Sequence, residues 1–263
     1  MLELAQFEGR RRVRGSLALG IGLALLGAMM IWVFPSIDQA GVDLEEYVDA
    51  WPPALRQMFS IEAIGTIEGF MAAELYAFGW VILLGLYMAY SAASLIADDV
   101  EHGRMDMTLS LPVSRWRVVV EKYLTMLVPI VVVNAIGFLT VYIGLILIDE
   151  SISTVDLLAV HLLSVPYLLA TASIGVLASV LFDRATIAQR VAAGAAFGLF
   201  LIESVLEGTD YGDVGLIAPS RYYDPTEILV HSEYNLEGAA LLLVASAVIV
   251  AASAIWFSKK DVS

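Results

Sequence analysis

Five stretches of this chain contain no Asp, Glu, Lys or Arg: residues 16–35, 75–97, 123–148, 157–182 and 238–257, with lengths of 20, 23, 26, 26 and 20. A helix rises about 1.5 Å per residue, so each is long enough to cross a hydrocarbon layer of about 30 Å. That layer holds no water to satisfy backbone polar groups, and a helix satisfies its own. A sixth span is expected at 185–206, weaker because Arg190 and Glu203 lie inside it. The hydrophobic fraction of 59%, against about 45–50% for a soluble domain, supports reading residues 1–263 as one membrane domain. The expected fold class is all-α and polytopic: six transmembrane helices, an N-terminal interfacial helix and a further helix on the cytoplasmic side.

Six crossings return both termini to one face, and the charges then sort. Of 14 Lys and Arg residues, 12 fall on that side: Arg10, Arg11, Arg12 and Arg14 before the first span; Arg104, Arg115, Arg117 and Lys122 between the second and third; Arg184 and Arg190 after the fourth; Lys259 and Lys260 in the tail. The opposite connections keep only Arg56 and Arg221, with 18 acids. Lys and Arg are retained on the cytoplasmic side of membranes, so both termini are expected in the cytoplasm of a multi-pass cell-membrane protein. The net charge of −14 then resides outside, spread over all three connections. A cationic substrate would concentrate it at one place. A halophilic host, where carboxylates hold water in brine and salt screens their repulsion, accounts for the spread.

The absence of cysteine excludes disulfides, thiolate metal sites and cysteine nucleophiles. The basic arm resembles the start of a signal peptide, but the apolar run behind it is longer than an h-region and more spans follow, so the first helix is expected to be retained. Leu2, Leu4, Phe7 and Val13 alternate with acids and arginines, a pattern suited to a short helix at the headgroup level. Trp51, Pro52 and Pro53 in the 36–74 connection predict two short helices about a proline turn, with Trp51 as an interfacial anchor. The 207–237 connection, rich in Gly, Pro and Tyr, orders only if it folds over the helix ends. No period of 20–50 residues marks a repeat array. None of Lys122, Lys259 and Lys260 follows Gly and precedes Ser or Thr, so a P-loop is missing. Any ATP and Mg²⁺ would be held by another chain, and this chain is expected to need no cofactor. Its acidity offers nothing to a nucleic acid.

The most informative local sequence follows the second span: IADDVEHGRMDMTLSLPVSRWRVVVEK. Its charges alternate with Met105, Met107, Leu109 and Leu111, which predicts a surface helix over 96–111 with one face free for a partner, loosened at Gly103. Pro112 forbids regular continuation and pushes Leu111 to extended geometry, and a new helix begins near Ser114 and Arg115. The product is a helical elbow leading into the third span. On Asp99 or Glu101, Gly103, Leu109, Ser110, Pro112, Val113, Ser114 and Arg115 the chain resembles the permease subunits of type-2 ABC exporters, which carry an acidic residue, Gly-Thr, a Leu-rich stretch and Leu-Ser-x-Pro-Val-Ser-Arg before the third span. Span number, the long first outer connection and the charge pattern extend the resemblance along the whole chain. Arg104 stands where the family usually has Thr, and Asp99 where Glu is commoner.

The resemblance implies that a separate soluble ATPase docks on this elbow, the coupling helix, and that two ATPases move two permeases as a homodimer or a heterodimer with a related chain. Asp98, Asp99, Glu101 and Asp106 are then expected to meet a basic groove on the ATPase, with Arg104, Met105, Met107 and Leu109 beside them. Within the spans, Glu203, Asn134 and His161 form a candidate polar site. Glu203 can snorkel to the outer interface, and His161, with no second His nearby, reads as a hydrogen-bonded interfacial residue. Asn134, Thr140, Ser164, Thr171 and Ser173 are expected to bridge helices, and Pro129 and Pro166 to kink them. An alternative within the class is a mechanotransmission subunit that moves an extracytoplasmic partner. From another class, an intramembrane Mg²⁺-dependent prenyltransferase would use the acids at 98–101 but lacks a facing second cluster. An ion-coupled transporter would need charges near the midplane.

Overall fold

Each long apolar stretch closes on itself as helix, because no other backbone arrangement leaves so few polar groups open. The computed structural model of the chain describes residues 3–39, 50–51, 63–110, 113–206 and 208–260. Most of the 36–74 connection, where two short helices are expected, lies outside the described residues. Among those residues the helices are α1 (Glu3–Gln39), α2 (Ile67–Phe70), α3 (Gly85–Ala93), α4 (Ala97–Glu101), α5 (Arg104–Leu109), α6 (Arg115–Leu124), α7 (Leu127–Leu147), α8 (Thr154–Leu181), α9 (Ala185–Leu206), α10 (Pro225–Leu229) and α11 (Leu236–Lys259). A π-helical segment, Met71–Leu84, joins α2 to α3. Six spans are long and apolar enough to cross a membrane: Gln6–Ser36, Ile67–Glu101, Arg115–Leu147, Thr154–Leu181, Ala185–Leu206 and Leu236–Lys259. The protein is an all-α polytopic membrane protein.

The N-terminal arm is helical as expected, but α1 runs unbroken from Glu3 to Gln39 and makes no separate interfacial element. Gly9, Ser16, Gly20, Leu23, Gly27, Ile31 and Phe34 form its buried face, at a spacing near 3.5 residues that keeps one seam against a partner helix. That partner is chiefly α7. The small residues let the two backbones approach, as helices must where lipid supplies no hydrophobic drive between them.

α8 occupies the centre, packed on α3, α11, α9 and α7. In the most apolar windows of the second and fourth spans 61% of the residues are buried, against 22% in the fifth, so α9 shows most of its surface to whatever surrounds the bundle. Pro166 lies inside α8. Pro129 sits in the first turn of α7, where it interrupts nothing, and the third span instead breaks at Thr125–Met126, between α6 and α7.

At the acidic end the 208–235 connection does fold over the helix ends, as two 3₁₀ turns, Gly212–Ile217 and Pro219–Tyr222, followed by α10. Tyr223 Oη donates to the Val160 carbonyl (2.9 Å). Asp156 of α8 accepts from Ser232 Oγ (3.0 Å) and from Tyr234 Oη, and the Asp156 hydrogen bond holds the Tyr234 phenol above its ordinary pKa.

The tightest approach of two helices is at Gly175, where a Cβ would stand 2.2 Å from the Ala89 carbonyl oxygen and 2.8 Å from the Ala92 side chain. Gly194, on α9, has nothing within 4 Å. Gly175→Ala is expected to lose about 1–3 kcal/mol relative to Gly194→Ala, since both gain the same helix propensity and only one forces backbones apart. Thermal unfolding of both variants in one detergent measures the difference.

Candidate functional site

At the basic end the chain leaves α3 through Ser94–Ile96. There Ser179 Oγ of α8 accepts from the backbone N–H groups of Ile96 (2.8 Å) and Ala97 (3.0 Å). α4 therefore begins on a side chain borrowed from another span. Gly103 has φ +66°, the left-handed region that favours glycine. The single surface helix expected over 96–111 is consequently two short helices, α4 and α5, meeting at a corner. Met105 is buried in the chain's own core, Leu109 is half-buried, and Asp106 and Met107 are exposed, Met107 to 67%. Pro112, with Leu111, lies outside the described residues. Ser114 is extended (ψ 142°) and Arg115 opens α6.

The charges of this region pair mostly within the chain. Lys122 Nζ, on a side chain only 4% exposed, lies 2.6 Å from Glu8 Oε1 of α1 and 2.7 Å from Asp99 Oδ2 of α4. Asp99 Oδ1 accepts from Arg104 Nε (2.8 Å), and Arg104 also binds the Asp98 carboxylate. The hydrogen bond to Asp99 raises the Arg104 pKa further, so the guanidinium stays charged. Glu101 Oε2 accepts from the Ala185 N–H (2.8 Å) at the start of α9, a charge-assisted bond to a helix N-terminus. Asp98, Asp99 and Glu101, expected to meet a basic groove, are each engaged by groups of this chain, Glu101 while still exposed. Arg104 supplies the countercharge for two of them. A carboxylate at the edge of the hydrocarbon layer loses hydration and takes the nearest fixed cation. Asp98 and Asp99 held this way are poorly placed to share a magnesium ion. Among the described residues no group of three or more His, Asp or Glu side chains could hold a metal.

A second network joins α6, α11 and the turn between α8 and α9. Arg115 donates to the Lys260 carbonyl, and Lys260 Nζ lies 2.6 Å from Asp183 Oδ1 and 2.9 Å from the Val180 carbonyl. Arg117 pairs with Glu121 one turn on (2.5 Å). Charged groups thus join the spans at this end: the first to the second through Arg12 and Ser91, the first to the third through Lys122, the second to the fifth through Glu101, and the sixth to the third and fourth through Arg115 and Lys260.

Within the spans the candidate polar residues divide. Asn134 Oδ1 accepts from Trp80 Nε1 (3.1 Å) and Ser164 Oγ (3.0 Å), tying the π segment, α7 and α8 together. His161 stands beside this cluster with its ring edge-on to Tyr76, Trp80 and Phe138, centroids 5.4–5.8 Å apart. It is 4% exposed, buried among these rings. Its Nδ1 bonds the Leu157 carbonyl at 2.8 Å, while Nε2, like the Tyr76 hydroxyl, has no partner among the described residues. Glu203 belongs elsewhere: its Oε1 lies 3.6 Å from Arg221 Nη1 of the 208–235 connection. Thr140, Thr171 and Ser173 bond carbonyls of their own helices and bridge to no other element among the described residues. Ser179 and Glu8, absent from the candidates read off the sequence, hold the elbow. Glu8 carried a weak clue, an acid among arginines on the first helix; Ser179 carried none.

Lys122 serves two carboxylates from two other elements, so its removal takes the ammonium from Glu8 and leaves Asp99 with Arg104 alone. Lys122→Met is expected to cost about 3–5 kcal/mol. Adding Asp99→Asn should recover part of that loss, because neighbours in one network are not additive. Thermal unfolding of the single and double variants reads both terms.

No curated protein is similar enough to the chain to match. The family described as "ABC-2 family transporter protein" matches residues 2–262, which is nearly the whole chain and includes both charge networks and all six spans. With that match the elbow and the bundle it is tied to find their common context, and the chain belongs to the ABC-2 family of transporter proteins as a membrane-spanning permease subunit.

Proposed function

We propose that this permease forms the export pathway of an ATP-binding-cassette transporter and that a separate soluble ATPase, holding all the ATP and Mg²⁺, docks on the elbow at 97–115. The observation that carries the reading is the division of labour along the elbow. Met105 is buried, and Asp99 and Glu101 bond to Lys122 and to the start of α9, while Asp106 and Met107 point away from the bundle. A push on the exposed face of α5 reaches the first and third spans through Lys122 and the fifth through Glu101. Anchored on one side and open on the other, the elbow has what a lever needs.

The basic end is the cytoplasmic end in this reading, which puts both termini inside a multi-pass cell-membrane protein. Six spans make a small bundle, and two apolar clefts flank the second span: one of about 340 Å³ lined by α1 and Leu83–Leu84, the other closed by Phe197 and Phe200 of α9. A second permease, identical or related, completes the pathway on that side. The 18 acids of the opposite end suit a halophilic host.

Met107→Glu is expected to reduce recovery of the ATPase with the purified permease by about tenfold, or 1.4 kcal/mol, by placing a carboxylate in an apolar contact. Pro112→Ala with Arg115→Ala should abolish permease-dependent stimulation of ATP hydrolysis while membrane insertion is kept. Unchanged recovery and stimulation in all these variants would remove the elbow from the mechanism. The chain has no cysteine, so Ser110→Cys supplies one thiol, expected to react with an impermeant maleimide only from the cytoplasmic side. Reaction from the exterior of intact cells would invert the topology.

A further inference from the structure

Between α1, the α3–α4 junction, α5 and α6 lies a cleft of about 480 Å³ lined by Glu8, Arg11, Arg12, Ser94, Leu95, Asp98, Asp99, Arg104 and Lys122. We propose that this cleft is a binding site for one anionic phospholipid headgroup, with Arg11 and Arg12 holding the phosphodiester. Four cations and three carboxylates line it, leaving one positive charge in excess. That excess lies at one place. Lys122 is taken by Glu8 and Asp99, and Arg104 by Asp98 and Asp99. Arg12 lies within the field of Glu8, and among the described residues its one hydrogen bond goes to Ser91 Oγ (3.1 Å), which uses one of five N–H donors on a guanidinium. Its planar fork suits a phosphate oxygen pair.

Depth selects lipid over a soluble phosphate. Arg11 and Arg12 precede Ser16, the first residue of the charge-free run, by five and four positions, or about 6–7.5 Å of helical rise. The headgroup layer is about 5–7 Å thick on each side of the hydrocarbon, so both guanidinium groups belong in it. Lys122 directly precedes another charge-free run and Leu95 lies in a third, so three spans bring the cleft to one depth. Leu95 offers an apolar wall for the glycerol backbone, while Asp98, 43% exposed at its side chain, can accept from headgroup hydroxyls. Those acceptors favour a headgroup bearing hydroxyls, such as glycerol.

The site is separate from the exposed face of α5 and is read by binding alone, whether or not an ATPase docks. The test titrates the purified full chain in detergent with short-chain phosphatidylglycerol and counts bound lipid by native mass spectrometry. One tight site is expected, weakened about tenfold or more in Arg11→Gln/Arg12→Gln. Arg10→Gln/Arg14→Gln removes the same charge from exposed positions of the same helix that do not line the cleft, and should leave binding unchanged. Phosphatidylcholine of equal chain length and millimolar inorganic phosphate should not compete. Equal losses in the two double variants, or equal displacement by phosphatidylcholine, would overturn the site in favour of general surface attraction. Displacement by inorganic phosphate would overturn the lipid assignment, and a wild-type chain without a tight site would overturn the proposal altogether.

Discussion

Lys122 has almost no water to return to. With its side chain 4% exposed and a carboxylate on each side, Glu8 at 2.6 Å and Asp99 at 2.7 Å, it keeps its countercharges only while α1 and α4 remain where they are. Breaking a buried pair costs far more than the pair contributes to stability. The ammonium therefore acts as a geometric constraint, fixing the first helix, the end of the second span and the start of the third to one another. Arg104 extends that constraint to α5 through the same Asp99. An elbow fastened in this way moves with the helices rather than against them, as its proposed coupling role requires.

The middle of the bundle is held differently. There Asn134 gathers donors from Trp80 and Ser164, and the aromatic rings of Tyr76, Trp80 and Phe138 surround His161. Neutral hydrogen bonds across membrane helices are individually modest, so this cluster specifies register more than it adds stability. It also lies on the π-helical stretch of the second span. Such stretches are wound wider than an α-helix and place side chains that a regular helix would turn elsewhere. The second span is thus irregular where it meets the polar core and jointed where it becomes the elbow, with α3 regular between them.

How much of this was legible in the sequence follows from the kind of interaction involved. Transmembrane helices answer to composition over twenty residues, and the five charge-free runs found them; Glu203 and Arg190 did not hide the sixth. The left-handed turn at Gly103 was half visible, as a loosened point, but the split into α4 and α5 needs the positive φ itself. Asp98, Asp99 and Glu101 read as a free acidic face because helical spacing shows neighbours along one helix only. Their partners, Lys122 and the Ala185 N–H, lie 23 and 84 residues away from Asp99 and Glu101 in the chain. The rings around His161 were hidden for the same reason, since they come from two other helices.

By itself the sequence determined that the chain crosses a membrane six times as helix, that its positive charge gathers at one end, and that a proline-bearing elbow interrupts it before the third span. These are matters of local composition set against the solvent, and water or its absence acts on every residue alike. Which charges the elbow keeps for itself, which helix lies at the centre, and where a cleft opens beside Arg11 and Arg12 were decided only in the tertiary structure. Each depends on distances between residues remote in the chain, and a few ångström separate a buried ion pair from two solvated charges.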